Sequence, residues 1–535
     1  MCTINCSQEL VGLLLSLSLH HTGAKTYIIC DTKTKEKIMS MTPQPKLEIY
    51  WKTTLDKYTM YNRDQMEKMK IWSDFQMAKA EVIEFALENT NDTLFLDSDI
   101  LILDKLYIES NDNDVQLGVS PQFVNDDIVK KTGYYNGGML WTNQKSLPEN
   151  WKKFTKTSRY YDQASIEDLT KTYNYFEFKD NYNLQTWRFI VGRESGEQIA
   201  KYLSVINGKI FYKDSHLKFI HTHFNSKRFT NINNLFISKM TEAGLYREIS
   251  IAYRIIHDKW IIQIPKQPMS GIWSHKNDSY RELAILLKVK NKDVDIELTS
   301  NSVHCWLKPT ILMYDRPTLL WINQEISKAT LLMLGNGDIN VEGKQLSQFK
   351  KHIKPWIFWP RRPIILEKVL KDNGVLSWDD RKNTTVFIGN SENSVQEKFR
   401  FTNSNWEAVI DCYHNTKGNK HKFTQNEYLM ELRKSRFGLC LRGYGSKCHR
   451  EVELMAFGTV PVVTKEVSIN SYYDPPVENI HYILVESPEQ LKEKVSSITQ
   501  DKWEEMSKAC YDWYQKNVHS DNCWNNMIHN ILYNV

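Results

Sequence analysis

Two aspartates stand directly after a short apolar run, Thr93 to Leu96, that is typical of a buried strand. Asp97 and Asp99 are two residues apart, so extended backbone places both carboxylates on one side, where neither charge can be buried without a partner. Mg²⁺ and Mn²⁺ suit this role because they prefer oxygen ligands, and Mg²⁺ is commonly held by one or two carboxylates and substrate phosphates. The pattern therefore indicates a metal-diphosphate clamp. A pair of solvated aspartates at a strand-to-turn junction is the alternative.

Two histidines follow much later, in the strand-like stretch Lys218 to Phe224. His221 and His223 are also two residues apart, so a strand would carry both on one face. An imidazole is a ligand that Mn²⁺ accepts beside carboxylates. These histidines are therefore candidate metal ligands together with Asp97 and Asp99.

Two further polar motifs lie between the aspartates and the histidines. Asn136 to Gly138 precedes an apolar stretch, and its glycines allow either a close approach of the backbone to a ligand or a tight turn. Asp162 and Gln163 open a helical stretch. Asp162 is either a helix N-terminal acid or a group that faces a substrate.

Composition limits the class of protein. The chain has 535 residues, 41% of them hydrophobic, which is enough for two or more domains, and a net charge of +5 without a basic stripe, which gives no reason to expect a nucleic-acid partner. Nine cysteines without a C-x-x-C motif indicate reduced thiols. The longest apolar stretch, Leu10 to Leu19, is about half a membrane span, so we expect a buried helix there and no membrane span.

The elements before the aspartates predict an α/β domain with a parallel sheet. A short strand over Cys2 to Asn5, a helix over Leu10 to His21 and a strand over Tyr27 to Cys30 begin the chain. Apolar residues spaced three and four apart then predict one long amphipathic helix over Ile71 to Phe85. Open α/β sheets bind ligands at the carboxyl ends of their strands, which is where Asp97 falls.

The order of these motifs over roughly residues 1 to 262 resembles that of nucleotide-sugar glycosyltransferases with the GT-A fold, a Rossmann-like mixed sheet with flanking helices. The resemblance implies that Asp97 faces the ribose and the metal, that Asp99 is a metal ligand, and that His221 is the third protein ligand, with His223 in reserve. It also implies Mn²⁺ or Mg²⁺ as cofactor and a nucleotide sugar, UDP-sugar above all, as donor. By the same match Asp162 is the candidate catalytic residue, as a base or as an orienting group.

An apolar strand that ends in Asp-x-Asp also resembles phosphohydrolases of the haloacid dehalogenase type. Those enzymes place the nucleophilic aspartate on the first strand of their core, whereas a long α/β stretch precedes Asp97 here. The isoleucine-histidine strand that ends in His221 is a further difference. We therefore favour glycosyl transfer and keep a metal-dependent phosphohydrolase as the remote alternative.

The second half begins after a segment rich in proline, Gln263 to Gly271, and we place the domain boundary between residues 264 and 265. Near the end of the chain a strand over Phe437 to Leu441, a glycine loop over Gly443 to Lys447 and a helix from Cys448 to Phe457 predict part of a βαβ unit. The free N–H groups of that helix, with Lys447 and Arg450 nearby, are suited to bind a phosphate.

This stretch resembles exostosin-like glycosyltransferases of the GT-B type, which carry a serine-phenylalanine strand, a glycine loop, Arg-x-x-Glu and Gly-x-x-Pro-Val. The resemblance implies that Arg450 neutralises a donor diphosphate, that Glu453 holds ribose hydroxyls, and that no metal is needed. It divides residues 265–535 into an acceptor-side half, 265–378, and a donor-nucleotide-binding half, 379–535, both Rossmann-like.

The sequence as a whole therefore predicts a bifunctional glycosyltransferase that builds a glycan from nucleotide sugars. One alternative is a single active GT-A domain with a non-catalytic, carbohydrate-binding C-terminal domain. The expected partners are a nucleotide sugar and a glycan or glycoconjugate acceptor, and the expected location is the cytoplasm. The abundance of Asn, Lys, Ile and Tyr is typical of AT-rich genomes, such as those of large DNA viruses or certain protists and bacteria. For a viral protein, the expected location is the cytoplasm of the host cell.

Overall fold

The computed structural model describes residues 1–108, 114–266, 274–299, 305–308, 311–314, 331–334, 353–355, 357, 359–391, 405–416, 422–443 and 446–533. The chain divides into two compact units, Met1–Lys259 and Trp260–Val535. The division lies slightly before the boundary at 264/265, because Trp260–Pro265 is a strand that pairs with Val294–Thr299 of the second unit.

The first unit contains a mixed set of strands. They are β1 Cys2–Thr3, β2 Lys25–Cys30, β3 Glu48–Lys52, β4 Thr93–Leu96, β5 Ile100–Ile102, β6 Leu117–Pro121, β7 Tyr135–Thr142, β8 Tyr175–Glu177, β9 Leu184–Gln185, β10 Leu203–Ile206, β11 Lys209–Tyr212, β12 Ser215–His216 and β13 Phe219–His221. The sheet β1-β2-β3 is parallel. In the sheet β4-β7-β6-β8, β7 is antiparallel to both neighbours, and in β5-β13-β9, β13 is antiparallel to β5 and parallel to β9. The mixed α/β architecture is therefore confirmed.

The helices of the first unit cover these sheets. They are α1 Ser7–His20, α2 Thr32–Met39, α3 Arg63–Lys68, α4 Trp72–Gln76, α5 Ala78–Leu87, α6 Asp126–Thr132, α7 Leu147–Thr155, α8 Tyr161–Ala164, α9 Ile166–Thr172, α10 Thr186–Val191, α11 Gly196–Lys201, α12 Thr230–Ala243 and α13 Tyr246–His257. One core joins α5 to the strands, with Val82 and Ile83 buried beside Phe95 of β4 and Leu140 of β7. This packing holds the end of β4 against β7.

The prediction of one long helix over Ile71 to Phe85 is wrong. Two helices, α4 and α5, cover this stretch and are interrupted at Met77, whose ψ of −4° departs from ideal helical geometry. The apolar spacing predicts which residues face the core, and a break of this kind leaves that spacing intact. Trp72 and Phe75 of α4 pack against the same core as α5, and they also line a cleft.

The second unit is also α/β. Its strands are β14 Trp260–Pro265, β15 Val294–Thr299, β16 Cys305–Leu307, β17 Ile311–Tyr314, β18 Leu331–Leu334, β19 Ile353–Pro355, β20 Asn383–Gly389, β21 Cys412–Asn415, β22 Ser435–Cys440, β23 Val460–Thr464 and β24 Ile483–Val485. Its helices are α14 Ser274–Lys290, α15 Pro363–Asn373, α16 Gln425–Arg433, α17 His449–Ala456, α18 Pro488–Ser497, α19 Gln500–Asn517 and α20 Cys523–Tyr533. Strands β14 to β19 form a mixed sheet, and β21-β20-β22-β23-β24 form a parallel sheet.

The sequence predicts reduced thiols and no membrane-spanning helix. The cysteines whose side chains are described, from Cys2 to Cys523, are free thiols. Within the described part of the chain, no helix combines the length and apolar character needed to cross a bilayer.

Candidate functional site

The turn between β4 and β5 carries Asp97 and Asp99, and its backbone is fixed on both sides. The Asp97 N–H donates to the carbonyl oxygen of Gly138 in β7 at 2.9 Å, and the Thr222 N–H after β13 donates to the carbonyl oxygen of Asp99 at 3.0 Å. The apolar strands β4 and β5 lie in different sheets, so the turn brings two sheet edges together. Both carboxylates are thereby held beside the middle of β7 and the end of β13.

His221 is the last residue of β13, and strand register places it opposite Ile100 of β5 and Gln185 of β9. Its Nε2 lies 3.1 Å from Oδ1 of Asp99. Its Nδ1 lies 2.7 Å from Oδ1 of Asn183, which accepts the Nδ1 proton. The structure thus brings together three of the residues singled out in the sequence.

One ligand atom from each of Asp97, Asp99 and His221 lies within 4.8 Å of the other two. Mn²⁺ accepts two carboxylates and an imidazole as ligands. Mg²⁺ prefers oxygen ligands and would bind chiefly to the two carboxylates. A hydrogen bond on the far ring nitrogen is the usual support for a metal-ligating histidine, and Asn183 provides it. These residues fit a divalent cation.

A chain of amide hydrogen bonds orients this histidine. Asn183 donates through Nδ2 to Oδ1 of Asn136 at 3.0 Å, Asn136 donates to Oε1 of Gln185 at 3.0 Å, and Gln185 donates to the backbone oxygen of Gln122 at 3.0 Å. The last acceptor is a backbone carbonyl, which can only accept, so the orientation of each amide in the chain is fixed. The oxygen of Asn183 therefore faces Nδ1 of His221, and Nε2 of His221 faces the carboxylates. Of these amides, sequence reasoning found only Asn136.

The charges of the side chains in the site compensate one another. Burial raises the pKa of Asp97 above its usual range, against the opposing effect of Lys79. Burial would also raise the pKa of Asp99, but the charges of His221 and His223 outweigh it and hold that pKa below its usual range. Burial would lower the pKa of His221, and the Asp99 carboxylate raises it instead. Asp99 and His221 therefore form an ion pair, from which a metal cation would displace a proton.

Lys79 of α5 is a central charge that sequence reasoning missed. Its ammonium lies 3.3 Å from Oδ1 of Asp97 and 3.0 Å from Oδ2 of Asp162, and it donates to the carbonyl oxygen of Gly137 at 3.0 Å. The sequence feature that could have indicated its burial is its position between two alanines, Ala78 and Ala80. The other buried residues of this helix are all apolar.

Asp162, the candidate catalytic residue, lies in the first turn of α8 and is 7% exposed. Its carbonyl oxygen accepts from Nε1 of Trp151 at 2.9 Å, which anchors the backbone, while its carboxylate faces Lys79. The neighbouring Gln163 donates to the carbonyl oxygen of Thr132 at 3.0 Å. Lys79 thus links Asp162 to Asp97. We refer to Asp97, Asp99 and His221, which could hold a metal ion, as the metal-ligand cluster.

His223, the reserve candidate, follows β13 and approaches the other side of Asp99. Its Nε2 lies 3.4 Å from Oδ2 of Asp99, and its Nδ1 lies 2.7 Å from Oε1 of Glu9 in α1. The hydrogen bond to Glu9 is the main reason that the pKa of His223 rises to about 9. Asp99 therefore has a histidine on each of its oxygens.

A cleft of about 820 Å³ opens over this cluster. Its lining includes the residues after β1, the aspartate turn, the glycines of β7, the start of α8 and the segment after β13. This volume is within the range of small-molecule sites. The metal-ligand cluster and Asp162 share this one cleft.

Gly138 has no room for a side chain, and we predict that Gly138→Ala weakens divalent-metal binding at least tenfold, about 1.4 kcal/mol. A Cβ there would lie 2.5 Å from Cε1 of His221 and 2.8 Å from Oδ2 of Asp97, so a ligand must move. Titration of Mn²⁺ followed by electron paramagnetic resonance measures the affinity. The control is Gly244→Ala, where φ is +72° and the space is open, which should lower stability by about 1 kcal/mol and leave Mn²⁺ affinity unchanged. Equal Mn²⁺ affinity in Gly138→Ala and the wild type would contradict the prediction.

In the second unit, Arg450 lies in α17 at the carboxyl end of β20. Its Nη2 donates to the carbonyl oxygen of Ile388 at 2.6 Å, and its guanidinium is 4.6 Å from the ring centroid of Phe387. Its Nε is buried and has no hydrogen-bond partner in the described part of the chain. Residues 444 and 445 of the glycine loop lie outside the described residues.

Lys447 and Glu453 are interior residues. Lys447 is 1% exposed, and its ammonium lies 3.9 Å from the ring centroid of Tyr472. Glu453 is 2% exposed and accepts from the Arg361 N–H at 3.0 Å and from the Tyr428 hydroxyl at 2.9 Å. Burial raises the pKa of Glu453. The structure does not bring these two side chains into an open site.

No family model matches the chain, and neither does any curated protein. Solved structures similar to it include the galactosyltransferase LgtC with donor and acceptor sugar analogues, at 14% identity over 41% of this chain and 84% of that one, with a TM-score of 0.29. The glycosyltransferase GlyE of Streptococcus pneumoniae TIGR4 matches at 10% identity over 93% of this chain and 96% of that one, with a TM-score of 0.30. Mouse xyloside xylosyltransferase 1 matches at 10% identity over 42% of this chain and 96% of that one, with a TM-score of 0.26. These scores are low, and we infer the function from the chain's own residues.

Proposed function

We propose that the first unit is a metal-dependent glycosyltransferase that moves a sugar from a nucleotide diphosphate sugar, UDP-sugar in the first instance, to a glycan or glycoconjugate. The observation that carries the proposal is the cluster of Asp97, Asp99 and His221 at the floor of a cleft. Mn²⁺ or Mg²⁺ bound there supplies positive charge to the diphosphate, where negative charge develops as the sugar-phosphate bond breaks.

The protein's own groups then have distinct tasks. Asp97, Asp99 and His221 hold the cation, and the amide chain that ends on Gln122 keeps the imidazole in its ligand orientation. Asp162 offers a carboxylate to a hydroxyl of the donor sugar or of the acceptor. Lys79 holds Asp162 and Asp97 in register, 3.0 Å and 3.3 Å from its ammonium, so the sugar-binding and metal-binding carboxylates are positioned together.

For the second unit we propose nucleotide-sugar binding around Arg450 at the carboxyl edge of the parallel sheet, in the manner of an exostosin-like GT-B domain. Two observations support an anion site there: the parallel order β21-β20-β22-β23-β24, and the Nε of Arg450, which has no hydrogen-bond partner among the described residues. The interior positions of Lys447 and Glu453 favour the alternative, in which this unit binds carbohydrate without catalysing transfer.

Donor hydrolysis by the full chain tests both proposals. With a panel of UDP-sugars we expect the first unit to contribute turnover that requires Mn²⁺, is lost with EDTA and returns when Mn²⁺ is restored. A second active unit would leave turnover that resists EDTA and is lost in Arg450→Met, and its absence would leave the second unit as a binding module. Cleavage of phosphate esters without turnover of any nucleotide sugar would replace the proposal with a phosphohydrolase.

A further inference from the structure

A row of aromatic rings runs from the metal-ligand cluster to the rim of the cleft. The His223 and Phe229 rings are 5.9 Å apart and stacked, and the Phe229 and Trp187 rings are 6.1 Å apart and edge-to-face. The row begins 3.4 Å from Asp99, at Nε2 of His223, and all three residues line the cleft. We refer to His223, Phe229 and Trp187 as the aromatic wall.

The outer member of the aromatic wall is exposed yet held in place. Trp187 is 42% exposed, whereas Thr186 and Arg188 on either side of it are buried. The Thr186 hydroxyl lies 3.4 Å from the carbonyl oxygen of His221, and Arg188 donates to the Tyr212 hydroxyl at 3.0 Å. An indole kept in solvent by a fixed backbone forgoes burial, which is typical of a ligand-binding surface.

A cation with several donors lies beside the indole. The guanidinium of Arg228 is 5.3 Å from the ring centroid of Trp187 and 5.5 Å from that of Phe229. A pyranose ring has one apolar face of C–H groups and an edge of hydroxyls. An aromatic face next to a fork of N–H donors matches both.

The occupant of this wall is argued from its place in the cleft. The carboxyl end of β1, with Thr3 and Asn5, forms another part of the cleft lining, and nucleotides bind at the carboxyl ends of parallel strands. The aromatic wall belongs instead to α10, which carries Trp187, and to the segment after β13, which carries His223 and Phe229. Resting on the proposed function, we propose that Trp187 is the platform on which the acceptor sugar stacks.

The test compares acceptor and donor kinetics in the full chain. Trp187→Ala should raise the KM for p-nitrophenyl glycoside acceptors about tenfold and leave acceptor-free hydrolysis of UDP-sugar within about twofold of the wild type. Trp187→Phe should restore most of the acceptor affinity because it keeps an aromatic face. Tyr107→Ala is the matched control, since Tyr107 is 54% exposed and is not part of the cleft lining.

Two results would overturn this assignment. If Trp187→Ala leaves the acceptor KM unchanged, the acceptor does not stack on Trp187. If the donor KM rises as much as the acceptor KM, the indole contacts the nucleotide sugar instead. If the wild type turns over no UDP-sugar, the proposed function fails, but the platform is tested separately by titrating the same glycosides against intrinsic fluorescence. Saturable quenching that Trp187→Phe abolishes would support the platform, and no saturable change in the wild type would overturn it.

Discussion

Asp99→Asn should lower kcat/KM for a UDP-sugar about a thousandfold, which corresponds to about 4 kcal/mol of lost transition-state stabilisation. The substitution preserves shape and removes the charge that faces His221 at 3.1 Å and His223 at 3.4 Å. Without that charge, the cluster of three ligands is reduced to Asp97 and His221, so Mn²⁺ affinity should fall with activity. Steady-state kinetics over a range of Mn²⁺ concentrations measure both.

The matched control for this variant is Asp127→Asn. Asp127 is an aspartate of the same unit whose side chain is 86% exposed, and it forms a surface pair with Lys130 at 3.6 Å. Its loss should leave kinetics and Mn²⁺ affinity unchanged. If Asp99→Asn retained wild-type activity at saturating Mn²⁺, the cluster would not be the catalytic metal site.

The proximity of the three residues that could hold a metal was predictable in part because each stands in a local pattern. Asp97 and Asp99 follow an apolar strand, and His221 ends another, so strand ends alone place them at sheet edges. That these edges meet depends on the pairing of β13 with β5. The paired residues are far apart in sequence, by 117 residues for Phe219 and Ile102 and by 121 for His221 and Ile100. Strand patterns do not specify partners, and the resemblance to glycosyltransferases implied only that His221 lies near the two aspartates.

The supporting groups were not predictable in the same way. Lys79 looks like a surface lysine until α5 is packed against β4, and Asn183 and Gln185 look like loop amides until β9 pairs with β13. Their roles arise from hydrogen bonds across the fold rather than from spacing. In the second unit, the sequence predicts Lys447 beside a phosphate-binding helix N-terminus, and the structure adds that its side chain is buried against Tyr472. A glycine-rich stretch indicates a turn but not which side chains it covers.

Lys79→Met should lower the free energy of unfolding by about 3 kcal/mol at neutral pH. Its ammonium lies between Asp97 and Asp162, and removing one partner of a buried ion pair leaves uncompensated charge. Burial already raises the pKa of Asp97, and loss of the Lys79 charge raises it further. The folded variant then keeps a proton that the unfolded chain has released, so its stability falls as the pH rises above about 4. Urea denaturation in EDTA from pH 4 to pH 8 measures the loss.

A lysine on the surface of the same unit provides the matched control, because its substitution removes the same charge from an exposed position. Lys152 pairs with Glu84 at 3.1 Å, with 35% and 57% of the two side chains exposed. Lys152→Met should therefore cost less than about 1 kcal/mol, because solvent screens the charge that remains. Equal losses in the two variants, or a loss in Lys79→Met that does not grow with pH, would show that Lys79 does not compensate the carboxylates. A large, pH-dependent loss confined to Lys79→Met would show that one buried cation compensates the carboxylates on either side of it, those of Asp97 and Asp162.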